Sequence, residues 1–178
     1  MSINVCNDRS MASITSLPSG VSGGSLVLIS TVTASSSSTV TFDSGIDSTY
    51  KEYQIHIIQA HCSSDNQILQ VGFRDGSTAY DATKTTTYFA SQHKEDGSGG
   101  AVGYNTDQDQ AQATGLQSLG QPGDNNDASL SGYLHLFEPS SSTFLKRFIA
   151  RTNLNVPESM LPLSILNFTP SIAALVLQ

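Results

Sequence analysis

The sequence predicts an all-β protein, a jelly-roll-like antiparallel β-sandwich, and three observations lead to it. Short runs of β-branched and aliphatic residues recur along the chain, separated by clusters of Ser, Gly, Asp and Asn of the kind that make turns. No stretch carries a 3.6-residue apolar period, so amphipathic helices are not expected. Charged residues make up only 13% of the 178 positions, about half the share of an average globular chain. An immunoglobulin-type sandwich is less favoured, because the chain has no tryptophan and so lacks the Cys, Trp, Cys core.

The elements follow in order. Residues 1–24 end in "SLPSGVSGG" and read as a flexible N-terminal arm, leaving 25–178 as one sandwich domain. Met11 opens "MASITSLPSG", which reads like a natural start, with the preceding residues an extension. "SLVLISTVT" (25–33) and "TVTF" (39–42) flank "ASSSS" and are expected to form a hairpin. "EYQIHIIQAHC" (52–62) is a strand, and "QILQVGFR" (67–74) is expected to run back beside it after the turn "SSDN". "TTTYFASQH" (85–93) is another strand. Residues 94–127 have almost no bulky apolar side chains and read as one long polar loop, unusual unless functional or ordered by a partner. "ASLSGYLHLFEP" (128–139) and "TFLKRFIARTN" (143–153) form a hairpin around "PSSS". The uncharged C-terminal stretch "SMLPLSILNFTPSIAALVLQ" is broken by Pro162 and Pro170. It is expected to close the sheet with one or two buried strands, or to sit at a subunit interface, and no membrane insertion is expected.

Charge narrows the partners. Eight Lys and Arg stand against 15 Asp and Glu, a net charge of −7. Nucleic acid is therefore not an expected partner, since its affinity rests on cationic contacts to phosphate. Arg74, Lys94, Lys146, Arg147 and Arg151 are too scattered along the chain to suggest a basic stripe. Cys6 and Cys62 permit one disulfide at most, and two free thiols are expected. The first residues show no basic start followed by an apolar run, so synthesis and assembly in a cytoplasm are expected.

"IHIIQAHC" places His56, His61 and Cys62 close together in sequence. On a strand His56 and Cys62 share a face roughly 20 Å apart, and His61 points the other way. Zinc needs all its ligands about 2.0–2.3 Å from one ion, so no metal site is expected here. Asp43, Asp47, Glu52 and Asp75 flank strand ends and read as turn formers rather than glycosidase carboxylates. "NTDQDQ" (105–110) and "GDNND" (123–127) offer hard oxygen ligands without the spacing of a calcium loop. The GxSxG pattern "GVSGG" (20–24) falls in the Gly/Ser/Pro stretch, without the strand and helix that a nucleophile elbow needs, and HExxH and P-loop patterns are absent. The sequence thus suggests no catalytic residues, no cofactor and no enzyme; function is expected to lie in surfaces.

"LVLISTVTASSSSTVTFDSGIDSTYKEYQIHIIQAH", "LQVGFRDG", "TKTTTYF" and "GYLHLFEP" carry a resemblance over roughly residues 25 to 155. The chain resembles small virion structural proteins of marine and cyanobacterial tailed phages, of the tail-fibre-like, knob, appendage or decoration kind. "SGIDSTYKEY" and "YLHLFEPSSSTF" are its most characteristic pieces. The resemblance implies a non-enzymatic β-rich protein on the virion, a homo-oligomer with a trimer as the expected form, and other capsid or tail components as partners. The C-terminal "VPESMLPLSILNFTPSIAALVLQ" departs from the closing strand after a Ser/Gly-rich turn that the resemblance implies. The alternative is a carbohydrate-binding β-sandwich for host attachment, with a host surface glycan as partner. Tyr80, Tyr88, Phe89 and Tyr104 are its candidate aromatic platforms.

Overall fold

The computed structural model describes residues 26–64, 67–76, 78–92, 99–124 and 127–154, together with the backbone of two later strands. The chain divides into two compact units, Met1–Thr31 and Val32–Gln178. The arm expected over 1–24 lies outside the described residues. In the first unit, residues 26–31 have no regular secondary structure and their side chains are exposed.

The second unit is built from ten strands: β1 (Val40–Phe42), β2 (Glu52–Ala60), β3 (Leu69–Arg74), β4 (Tyr88–Gln92), β5 (Ala101–Tyr104), β6 (Gln117–Gly120), β7 (Leu130–Phe137), β8 (Arg147–Leu154), β9 (Leu163–Asn167) and β10 (Ala174–Leu177). A single 3-10 turn, Thr106–Gln108, follows β5, and there is no α-helix among the described residues. Two antiparallel sheets result, one in the order β1-β10-β3-β6 and the other β2-β7-β8-β9-β4-β5. The all-β class predicted from composition and turn spacing is what the chain adopts.

The core lies between the two sheets. Strand alternation buries Tyr53, Ile55 and Ile57 from β2, Leu134 and Leu136 from β7, and Phe148 and Ala150 from β8. Val71, Phe73 and Leu119 meet them from the smaller sheet. The Phe73 and Phe148 rings touch across the interface, with centroids 4.6 Å apart, and each buried ring contributes about 1.5–3 kcal/mol by leaving water. Thr152 adds a polar link by donating to the Leu119 carbonyl at 2.6 Å.

Several expected pairings differ in the structure. Residues 26–33 form no strand, and β1 pairs with β10 rather than with them, so the expected hairpin is absent. β3 does not lie beside β2: β2 pairs with β7, while β3 sits between β10 and β6 in the other sheet. The link 61–68 therefore crosses from one sheet to the other. The stretch read as a continuous loop contains β5, the 3-10 turn and β6. The hairpin of β7 and β8 forms in full register, from Leu130 opposite Leu154 to Phe137 opposite Arg147. The C-terminal stretch supplies two paired strands, β9 and β10, one in each sheet.

Alternation in β2 holds only as far as Ile57. The register shifts between Ile57 and Ala60, and Gln59 takes a left-handed φ of 52°, which is a β-bulge. His61 consequently does not follow Tyr53, Ile55 and Ile57 into the core. It is exposed, with Nδ1 2.7 Å from the Ala128 carbonyl, so the ring pins the end of β2 to the entry of β7.

Candidate functional site

The outward face of the larger sheet gathers the side chains that alternation excludes from the core. β2 presents Gln54 and His56, β7 presents Tyr133, His135 and Phe137, and β8 presents Arg147, Ile149 and Arg151. The register places Gln54, His135 and Ile149 in one row, and His56, Tyr133 and Arg151 in the next. Along β7 the rings form a ladder, with Tyr133 and His135 centroids 5.0 Å apart and His135 and Phe137 6.1 Å apart. Glu52 reaches diagonally to His135, Oε1 to Nδ1 at 2.7 Å, as cross-strand neighbours can.

The second row continues across the sheet. Arg151 is opposite Ile165 of β9, Ile165 is opposite Phe89 of β4, and Phe89 is opposite Tyr104 of β5. The row from His56 to Tyr104 crosses all six strands, about 24 Å at the usual strand spacing. At its far end the Phe89 and Tyr104 rings lie tilted against each other at 39° with centroids 5.2 Å apart and remain about half exposed.

Asp109 sets this end of the row. One of its oxygens accepts the Tyr104 hydroxyl and the other accepts the Tyr88 N–H at 2.7 Å. The hydrogen bond to Asp109 holds the Tyr104 phenol above its ordinary value, with slight desolvation and the Asp109 charge adding to the effect. Behind it, buried Thr86 donates to Gln117 Oε1 at 2.7 Å and accepts the Gln110 N–H at 2.6 Å. Gln117 in turn donates to the Gln108 carbonyl at 3.0 Å. Amide and hydroxyl side chains thus order a segment with few apolar residues to bury.

The four aromatic residues singled out in the sequence separate. Phe89 and Tyr104 come together on the outer face. Tyr88, their neighbour in β4, turns inward and is buried, so it offers no platform. Tyr80 lies against Gly72 of the smaller sheet, under the Arg74 guanidinium at 5.1 Å. Sequence reasoning missed Tyr133, His135 and Phe137 as one half-buried ladder on the outer face. Their i, i+2, i+4 spacing in "YLHLF" was the available signal.

The remaining candidates take structural places. Asp47 accepts the Thr49 N–H at 2.7 Å and the Tyr53 hydroxyl at 3.1 Å. These bonds, the Thr49 contacts foremost, hold its carboxyl below the usual value. Burial pushes the half-buried Cys62 thiol up. Asn105 accepts the Asp107 N–H at 3.1 Å and caps the 3-10 turn. Part of "GDNND" lies outside the described residues. Among the described residues no three His, Cys, Asp or Glu side chains gather as metal ligands, and no helix is long and apolar enough to cross a membrane.

No family model, curated protein or solved structure matches this chain.

Proposed function

We propose that the chain is a non-enzymatic structural protein of a phage virion, a capsid decoration or tail appendage exposed on the particle surface, with a jelly-roll-like body. The observation that carries this reading is the run Leu26, Val27, Leu28, Ile29. All four side chains are exposed, Leu26 and Leu28 to about 80%, and none is paired in a described strand. An exposed apolar run of strand-forming residues suits attachment, because a host assembly can bury the side chains and pair the backbone. The resemblance to small phage virion proteins supports the same assignment, with other capsid or tail components as partners and a homo-oligomer as the working form. Immunogold electron microscopy of purified particles tests it. Label on the particle surface is expected, and unlabelled particles with label only in the soluble lysate would refute the assignment.

A second reading, a carbohydrate-binding surface for host attachment, is favoured by the adjacent and half-exposed rings of Phe89 and Tyr104. A glycan array with the purified protein tests it. Binding that is lost in F89A is expected, and an array without signal removes it.

A further inference from the structure

We infer that the outer face of the larger sheet binds an acidic saccharide chain, with Arg151 taking a sugar carboxylate and the Phe89–Tyr104 pair stacking on a pyranose ring. This inference rests on the carbohydrate-binding reading and names the class of sugar.

This face is close to balanced in charge while the chain as a whole is acidic. The chain carries a net −7, yet this face holds Arg147 and Arg151, both exposed and neither ion-paired with a described residue. The acidic groups beside them have partners of their own, although Asp109, bonded to two neutral donors, keeps its charge. Glu52 pairs with His135, Glu138 pairs with Lys51 at 3.0 Å, and Asp109 is held by Tyr104 and the Tyr88 N–H. A net-negative protein does not attract a polyanion from a distance. Binding would need local recognition, and a planar guanidinium that accepts a carboxylate on two parallel hydrogen bonds supplies it.

The geometry suits a chain rather than a single sugar. Arg151 and Phe89 occupy one row, two strand spacings or about 10 Å apart. The row as a whole is long enough for several pyranose rings. Phe89 and Tyr104 present an apolar surface to the C–H face of a ring, and Asp109 fixes the tilt of Tyr104. Gln54, His56 and Asn153 stand alongside as hydroxyl partners. Apolar residues on this face are interleaved with charged and amide side chains, unlike the depleted-charge centre of a subunit interface.

The test is isothermal titration calorimetry of the full chain with polygalacturonate and with its methyl ester, the same backbone without the charge. Polygalacturonate is expected to bind at least tenfold more tightly, and R151Q to weaken it by about tenfold or more without shifting the thermal melt. F89A is expected to weaken both polymers. Equal binding to the two polymers overturns the acidic specificity and leaves the sugar-binding reading standing. Binding to neither overturns both. A preference for polygalacturonate that survives in R151Q and F89A overturns this location for the site. A change of oligomeric state in R151Q by light scattering, with no saccharide bound, would make the face a subunit contact and also overturn it.

Discussion

Asp109 holds Tyr104 and the backbone of Tyr88 with its two carboxylate oxygens, so one side chain fastens β5 and its turn onto β4. The Tyr104 phenol is raised above its ordinary value of 10.0 chiefly by that bond. In D109N the phenol is expected to titrate at lower pH, followed by phenolate absorbance against a Y104F baseline. The sign for stability follows. A raised folded-state value means the folded protein keeps its proton longer than the unfolded chain. The contribution is complete below about pH 10 and is lost as pH rises through the folded-state value.

Gln117 is fully buried in β6 and connects Thr86 to the Gln108 carbonyl. Replacing it with leucine keeps the volume, removes the acceptor of the Thr86 hydroxyl proton and removes the side-chain donor to the Gln108 carbonyl, while Thr86 keeps the Gln110 N–H. Q117L is expected to cost about 1–3 kcal/mol. Urea denaturation checks it: the midpoint should fall with an unchanged slope.

These two contacts also show where the sequence was readable and where it was not. The period of two in "EYQIHI", "LSGYLHLF" and "RFIARTNL" matches the burial of Tyr53, Ile55, Leu134, Leu136 and Phe148, because one buried face imposes it. β5 and β6 were invisible to that test. "AVGY" is exposed throughout and "QSLG" is buried throughout, and the segment between them is ordered by polar side chains. Pairing was also hidden. The partner of β2 lies 70 to 85 residues away, from Ala60 opposite Leu130 to Glu52 opposite Phe137, and nothing in "SSDN" marks a crossing between sheets. The run 26–29 has every local mark of a strand, yet pairing needs a neighbour, and none is present in the described chain. The outer-face row depends on register across six strands, which no local pattern encodes.

Gly132 lies where β7 meets β8 most closely. A Cβ there would collide with the Arg151 carbonyl and lie 2.7 Å from Thr152 Cα. G132A is expected to lower stability by about 1–3 kcal/mol, the usual range for overpacking. G103A in β5 is the control, since a Cβ there meets nothing within 4 Å. Thermal melts of the two variants should separate clearly.

Lys84 is buried with its ammonium donating to the Ala82 carbonyl at 2.9 Å. Burial lowers its pKa from 10.5, with Asp81 partly opposing the shift. The unfolded chain therefore binds more protons between the two values, and stability from this group rises with pH across that window. K84M is expected to lose this rise and to be at least as stable as the parent at neutral pH. Denaturant midpoints followed upward from neutral pH, and kept below the titration of Tyr104, measure the difference.

Assignment to a virion rests on the exposed run at 26–29 and on the resemblance, and it is open to one direct measurement. Quantitative mass spectrometry of gradient-purified particles from cells that produce the chain reads it out. Peptides from 32–154 at a constant ratio to the major capsid protein across the particle peak are the expected result. Particles free of those peptides, with the protein confined to the lysate, would contradict it.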